Sequence, residues 1–347
     1  MMKQKMAVIG LGHMGRHMIH RLLPQYTEKI ELVAICDSDE SSLHREAAEA
    51  GIHPRLYTDY RQLLDEVTLD LVYIAVPPSL HYDVARIAFE KGIHVFCEKP
   101  LANSLTEARS LVELAEKADV LHAVHFSLPL DPAVLKLRAL LEEQAIGGIQ
   151  GMELYLEFPQ WPRAWQQNPW ITSRQQGGYL LEVGIHWIQM IPQVFGPITH
   201  VKSEIEFPPD SNQSESRVQA VLRLHNDIEI RLSGTDQREG EERVSLVVHG
   251  EEGTLALENW CNLYLSGKNT DLQPVPVDDV VSPLPILKQI IQILNGESGQ
   301  IYDFYDGYNA QVVLEALRKP GEGFADVRAQ LMGGGKKYGT EPIANLR

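Results

Sequence analysis

The sequence predicts a doubly wound, mostly parallel α/β sheet followed by an open, mainly antiparallel α+β sheet, on three observations. A glycine-rich turn joins an apolar strand to a helix at the amino terminus. Short apolar runs then alternate with helical segments up to His125, and from Ile149 onward strands with alternating apolar and polar residues take over. A chain of 347 residues exceeds one ordinary core, so two domains are expected, 1–125 and 126–347.

The first strand, Met6-Ala7-Val8-Ile9, runs into Gly10-Leu11-Gly12-His13-Met14-Gly15 and a helical stretch through Leu23 that Pro24 should stop. Gly10 permits the tight turn, Gly12 lets the backbone approach a pyrophosphate, and Gly15 allows helix and strand to pack closely, with His13 and Met14 completing the loop. The next strand, Ile30 to Cys36, ends at Asp37, and 37 − 15 = 22 residues separate that acid from the last glycine. This spacing suits a carboxylate that binds the adenosine ribose and repels a 2'-phosphate, so NAD is preferred over NADP. The competing reading of Asp37 is a turn or helix cap, since Asp39 and Ser41 precede a helix closed by Gly51.

A short helix after Asp59 leads to the strand Leu69 to Val76, which Pro77-Pro78 ends. The helix Ser79 to Glu90 follows, with His81 in its first turn, either facing the cofactor or packing against the fold. The run His94 to Cys97 then meets Glu98-Lys99-Pro100. Proline holds Lys99 extended and ends the strand, so Ala75, Pro77, Glu98 and Lys99 fall at strand carboxyl ends, the ligand-binding edge of such sheets. Lys99 is then either a cation beside a bound dinucleotide or a solvated amine at a strand end. Ser104-Leu105-Thr106-Glu107 forms a capping box, and the strand Val120 to His125 completes the half.

Strand-like runs in the second half are 151–158, 198–207, 215–224, 228–233, 243–249, 253–257 and 262–265. Helices around Ile286–Leu294 and Tyr308–Leu317 are expected to cover one face of that sheet. Its other face is partly polar, either wet or a homo-oligomer interface. Gly333 to Gly335, before Lys336-Lys337, suggests a flexible approach to the carboxyl terminus.

Between the first two of these strands lies Gly177-Gly178 through Met190. If it is helical, Glu182, His186 and Gln189 share one face. A histidine with a carboxylate one turn away is a candidate general base, and a surface Glu–His pair is the alternative. Gly184 within the helix implies that something approaches closely. Upstream, Phe158 to Trp165 and Trp170 hold three of the five tryptophans, a sugar-stacking wall or an interdomain clamp.

A net charge of −16 disfavours a nucleic-acid partner. Cys36, Cys97 and Cys261 show no ligand spacing, so no metal is expected. No apolar stretch approaches the roughly 20 residues of a membrane span, and the start lacks signal-peptide architecture, so no membrane association and a cytoplasmic location are expected.

With the glycine loop, Asp37, Glu98-Lys99-Pro100 and the Gly-Gly-to-His186 segment in this order, the chain resembles the Gfo/Idh/MocA oxidoreductase family over nearly its full length. The resemblance implies an amino-terminal Rossmann domain, an open-sheet second domain, a nicotinamide cofactor and a sugar, polyol or sugar-derivative substrate. It implies that Lys99 binds the reacting hydroxyl and the nicotinamide ribose, that His186 takes the hydroxyl proton, and that Glu182 orients His186. The family usually has Asp where Glu182 stands, an acid where Gln189 stands, a third glycine at Gln176 and arginines within the Phe126–Leu130 run. It also contains redox-neutral glycosidases and a non-catalytic regulator, which are the alternative activities.

Overall fold

The structure, a computed structural model, describes residues 3–166, 168–277 and 285–333. Contacts gather the chain into two compact units. One runs up to His125 and takes in Pro285–Tyr308; the other starts at Phe126 and takes in Asn309–Met332. Segment 285–308, expected in the second domain, therefore clusters with the first. The glycine–lysine tail predicted to be flexible lies outside the described residues from 334 onward.

In the first unit the strands are β1 (Gln4–Ile9), β2 (Ile30–Cys36), β3 (Arg55–Tyr57), β4 (Leu71–Ile74), β5 (His94–Cys97) and β6 (His122–Val124). They form a six-stranded, wholly parallel sheet in the order β3-β2-β1-β4-β5-β6. The order reverses at β1, so β1 and β4 diverge there and leave a crevice at their carboxyl ends. All four residues of β4 are buried, as expected of a strand covered on both faces. The connecting helices are α1 (His13–His17), α2 (Glu40–Ala50), α3 (Tyr60–Glu66), α4 (Pro78–Glu90) and α5 (Leu105–Ala118).

Local chemistry sets their ends. Asp39 and Asp59 accept from backbone N–H groups in the first turns of α2 and α3, and Ser104 from Glu107 N. Gly51 closes α2 in the left-handed conformation. Pro24 does not stop the first helical run. After α1 the backbone widens into a π turn, Met18–Leu22, then tightens into a 3-10 turn, Leu23–Tyr26, whose first turn accommodates the proline.

The second unit holds α6 (Pro132–Glu142), a helix not anticipated from the sequence, and α7 (Ile185–Phe195). Its strands are β7 (Ile149–Glu157), β8 (Ile198–Glu206), β9 (Arg217–Leu224), β10 (Glu229–Thr235), β11 (Arg243–Gly250), β12 (Gly253–Glu258), β13 (Asn262–Gly267), β14 (Gln273–Pro274) and β15 (Ala325–Asp326). They form one nine-stranded sheet, β14-β13-β12-β11-β7-β10-β9-β8-β15. Every neighbouring pair is antiparallel except β7 and β10, which run parallel at its centre. Alternating burial along β9 and β10 leaves one face partly exposed.

Helix α8 (Ile286–Leu294) belongs to the first unit. The last helix, α9 (Phe304–Leu317), starts four residues earlier than expected, and Phe304–Tyr308 cluster with the first unit.

Gly234 in β10 shows how tightly the second sheet is packed. A Cβ there would meet Val218 Cγ1 at 2.6 Å and the Tyr179 ring at 2.7 Å. Gly234→Ala is expected to destabilise the protein by about 1–3 kcal/mol through overpacking, read from the urea midpoint.

Candidate active site

The dinucleotide cradle is built by close backbone approach. Gly10 has φ +95°, and a Cβ there would lie 2.4 Å from Ala75 O; at Gly15 one would lie 1.9 Å from Gly10 O. These two glycines pull the loop onto β4 and the helix onto the loop. Gly12 is different: a Cβ there meets nothing within 4 Å, so its backbone faces open space where a pyrophosphate can approach. His13 is exposed and Met14 half-buried in the same turn.

Asp37 follows β2, with Oδ2 accepting from Leu11 N at 2.7 Å and Oδ1 from Asp39 N at 2.9 Å. The helix cap is Asp39, not Asp37. Two N–H groups thus fix the Asp37 carboxylate against the glycine loop, and each oxygen retains capacity for a ribose hydroxyl. The residues present fit a bound NAD.

Pro77 precedes α4, and His81 in that helix is completely buried. Its Nδ1 lies 2.7 Å from Pro100 O and its Nε2 2.9 Å from Val76 O. Both ring nitrogens are committed to backbone carbonyls, so the ring ties the loop after β4 to the loop after β5. Burial lowers its pKa, against the upward pull of the carbonyls.

Glu98, at the end of β5, is 7% exposed. Its Oε1 accepts from the Tyr73 hydroxyl and from His125 Nδ1 at 2.7 Å, while Tyr73 Oη and His125 Nδ1 are 3.0 Å apart. Tyr73 lies on β4, and Glu98 and His125 directly follow the neighbouring strands β5 and β6. Burial would push the Glu98 carboxyl up. The combined pull of His125, Tyr73 and Lys99 overcomes it and holds the pKa well below the usual carboxylate range. Lys99 is half-buried between this network and Pro100. Neither Tyr73 nor His125 was singled out from sequence; the one available signal is a polar atom in otherwise apolar strands.

In the second unit the histidine helix begins at two crowded glycines. A Cβ on Gly177 would lie 2.1 Å from Ile171 O; Gly178, at φ +97°, would place one 2.4 Å from Glu215 Oε2. Glu215 is buried, and its Oε1 accepts from Leu180 N at 2.8 Å, anchoring the start of the helix. Residues Leu180–Gly184 form a π turn rather than the expected α-helix, and α7 continues from Ile185. π turns of this kind recur at functional sites. Glu182 lies in the wide turn and His186 in the first turn of α7. The close approach at Gly184 is by Leu156 of β7, 3.2 Å from a Cβ placed there, so this glycine serves packing against the sheet.

The His186 ring meets Phe126 edge-on at 6.0 Å and Trp260 edge-on at 5.6 Å between centroids. In the tryptophan segment, Trp161 packs on Phe158 at 5.0 Å and Tyr179 at 6.0 Å, beneath the start of the histidine helix, while Trp165 is exposed. Among the described residues, His20, Glu46 and Glu49 alone come close enough together to suggest a metal. Arg16, Arg45 and His20 already pair with Glu46.

A parallel sheet with a glycine cradle and an acid following β2, together with an open antiparallel sheet, defines a two-domain protein of the dinucleotide-binding class. Residues 4–126 match the family model described as oxidoreductase family, NAD-binding Rossmann fold, and residues 134–256 match the GFO/IDH/MocA C-terminal domain. The chain belongs to the GFO/IDH/MocA oxidoreductase family, and its cofactor is NAD.

It is 27% identical to D-apiose dehydrogenase of Paraburkholderia graminis over 266 residues, covering 73% of this chain and 67% of that one. Against D-glucoside 3-dehydrogenase of Escherichia coli it is 30% identical over 198 residues, 55% of this chain and 54% of that one. The fold is shared with levoglucosan dehydrogenase in complex with NADH, at TM-score 0.79, 21% identity, 94% of this chain and 99% of that one.

Two expected outcomes follow from this geometry. Gly12→Ala leaves the unfolding midpoint nearly unchanged and weakens NAD binding in calorimetry, whereas Gly15→Ala lowers the midpoint as well. Because its folded pKa is depressed, Glu98 adds stability that is present above about pH 4.3 and lost as pH falls toward its folded value. Tyr73→Phe removes a hydrogen bond to a buried charge worth about 1.5–3 kcal/mol. Its urea-unfolding free energy falls by that order at pH 7, and its decline with acid is shallower than in the wild type.

Proposed function

We propose that the protein oxidises a secondary hydroxyl of a sugar, polyol or sugar derivative with NAD. Lys99 hydrogen-bonds the reacting hydroxyl and the nicotinamide ribose, favouring the alkoxide as it forms. His186 accepts the hydroxyl proton through a ring nitrogen, and Glu182 orients the imidazole or stabilises its cationic form. When bound, NAD supplies the hydride acceptor, so the products are a carbonyl compound and NADH. Gly10, Gly12, His13, Met14, Gly15, Asp37, Ala75 and Pro77 hold the cofactor in this reading. His81 and Glu98 act on it through the loops they fix.

The observation that carries the proposal is that three side chains, the buried Tyr73 and His81 and the half-buried His125, hold the tripeptide bearing Lys99. A solvated surface lysine needs no such support. Relatives named as dehydrogenases of apiose, levoglucosan and glucosides support the substrate class. We further propose that the protein acts in the cytoplasm as a homo-oligomer joined through the partly polar face of its second sheet. Among the described residues no helix is long and apolar enough to cross a membrane.

The test is a panel of sugars, cyclitols and sugar acids with NAD or NADP, following absorbance of the reduced cofactor. Turnover with NAD is expected, with Lys99→Ala and His186→Asn each lowering kcat by about 10²–10⁴. Full activity in Lys99→Ala refutes the assignment, and a strong preference for NADP refutes the role given to Asp37. Cleavage of a glycoside without net NADH would identify a redox-neutral glycosidase instead.

A further inference from the structure

One nearly buried carboxylate, Glu98, is shared between two side chains that carry positive charge, and one of the two is a histidine. The His125 and Glu98 side chains are each 9% exposed, and His125 Nδ1 lies 2.7 Å from Glu98 Oε1. An ionised carboxylate only accepts, so Nδ1 carries a proton whatever the charge of the ring. The other ring nitrogen, Nε2, is not used by this network, so it gains or loses the second proton without breaking the bond to Glu98. The ring is also held in place. It packs on Phe96 at 4.8 Å and edge-on against Tyr73 at 5.9 Å between centroids, and the His125 backbone N–H donates to Cys97 O at 2.8 Å.

The groups around it keep their own charge states. Burial pushes the Glu98 carboxyl up, yet His125, Tyr73 and Lys99 together hold it at about 2, so it stays ionised through the neutral range. Burial, reinforced by Glu98, raises the Tyr73 hydroxyl well above its ordinary range, so it stays neutral. From the helical run after the glycine loop, His17 lies within electrostatic reach of the pair. Partial burial and the positive charges of His125, His13 and Arg21 lower its pKa, against the pull of Glu98. Histidine is the side chain whose ordinary titration spans the pH of cells. With His125 charged, Glu98, Lys99 and His125 sum to one positive charge; with His125 neutral they sum to zero.

We infer that His125 sets the preference of this site between the two oxidation states of its cofactor: charged His125 opposes the cationic nicotinamide ring of NAD and tolerates the uncharged ring of NADH. The inference rests on the placing of Lys99 at the nicotinamide ribose proposed above. NAD and NADH share the same pyrophosphate, riboses and adenine, so a pH effect on those parts cancels when the two are compared. His125 acts through the charge it leaves beside Lys99 and has no need to touch the cofactor. Linkage requires the reciprocal effect: NAD binding expels a proton from His125, and NADH binding does not.

Calorimetric titration of the full-length protein with NAD and with NADH, at about pH 6 and about pH 8.5, reads the preference on either side of the ordinary histidine range. The ratio of dissociation constants, NAD over NADH, is expected to fall about three- to tenfold from the lower pH to the higher. Near neutral pH, titration in two buffers of different protonation enthalpy is expected to show more proton release with NAD than with NADH. His125→Asn keeps an N–H donor for Glu98 and carries no charge. It is expected to hold the ratio near its high-pH value throughout, while His17→Gln retains the wild-type dependence.

A wild-type ratio that does not change with pH overturns the inference, as does a dependence that survives His125→Asn or disappears in His17→Gln. Should His125→Asn fail to fold, the wild-type proton count decides, and equal release with both nucleotides overturns it. Lys99→Ala separates this inference from the placement beneath it. If that variant binds both nucleotides as the wild type does, the nicotinamide does not lie at the end of β5, and the inference falls with the placement. If it binds them more weakly while the wild-type ratio is flat, the placement stands and only the role of His125 fails.

Discussion

The structure of the first unit turns on one buried carboxylate. Glu98 sits where water cannot solvate it, so its charge persists only because Tyr73 and His125 reach it from the strands on either side. Removing either partner weakens that compensation in a low-dielectric setting, which is why the network holds the ends of β4, β5 and β6 to one geometry. Lys99 is the next residue in the chain. Its backbone inherits that fixity from Glu98 on one side, and from Pro100, held by the His81 ring, on the other. A long flexible amine is thereby delivered from a rigid base.

The second unit solves the same problem by another route. His186 is placed by the manner in which its helix starts: Glu215 receives Leu180 N, two glycines press against Ile171 and Glu215, and a wide π turn sets the angle at which α7 leaves. The carboxylate here serves the backbone and caps the helix, whereas Glu98 serves side chains. Both sites use an acid that never has to contact substrate, and in both it is buried.

Much of this was legible in the chain, and the limits have physical causes. Gly10 and Gly15 were readable because a Cβ at either would collide with backbone, Gly12 because it completes their spacing in the loop, and Asp37 because its distance from that loop is set by one helix and one strand. The long alternating strands of the second half were readable for the same reason, since half-buried sheet demands a period of two. Helix α6 and strand β3 escaped notice: one has apolar residues spread too evenly to show a stripe, the other is three residues long. The π turn at Leu180–Gly184 leaves no periodic trace. His81 looked like a cofactor contact from its place in a first turn; that both ring nitrogens belong to carbonyls from two separate loops is a tertiary fact. Tyr73, His125, Glu215 and Trp260 were missed because their partners are distant in sequence.

The return of Pro285–Tyr308 to the first unit has a consequence for biosynthesis. Val124 N donates to Tyr302 O, and His122 Nδ1 accepts from Phe304 N, so β6 meets its last partners nearly 180 residues downstream. As the polypeptide leaves the ribosome, the parallel sheet has its edge uncovered until every strand of the second sheet except β15 has been made. The amino-terminal unit is thus first to be translated and among the last to be finished. A fragment ending at His125 would carry every glycine of the cradle and still lack the segment that closes its final strand.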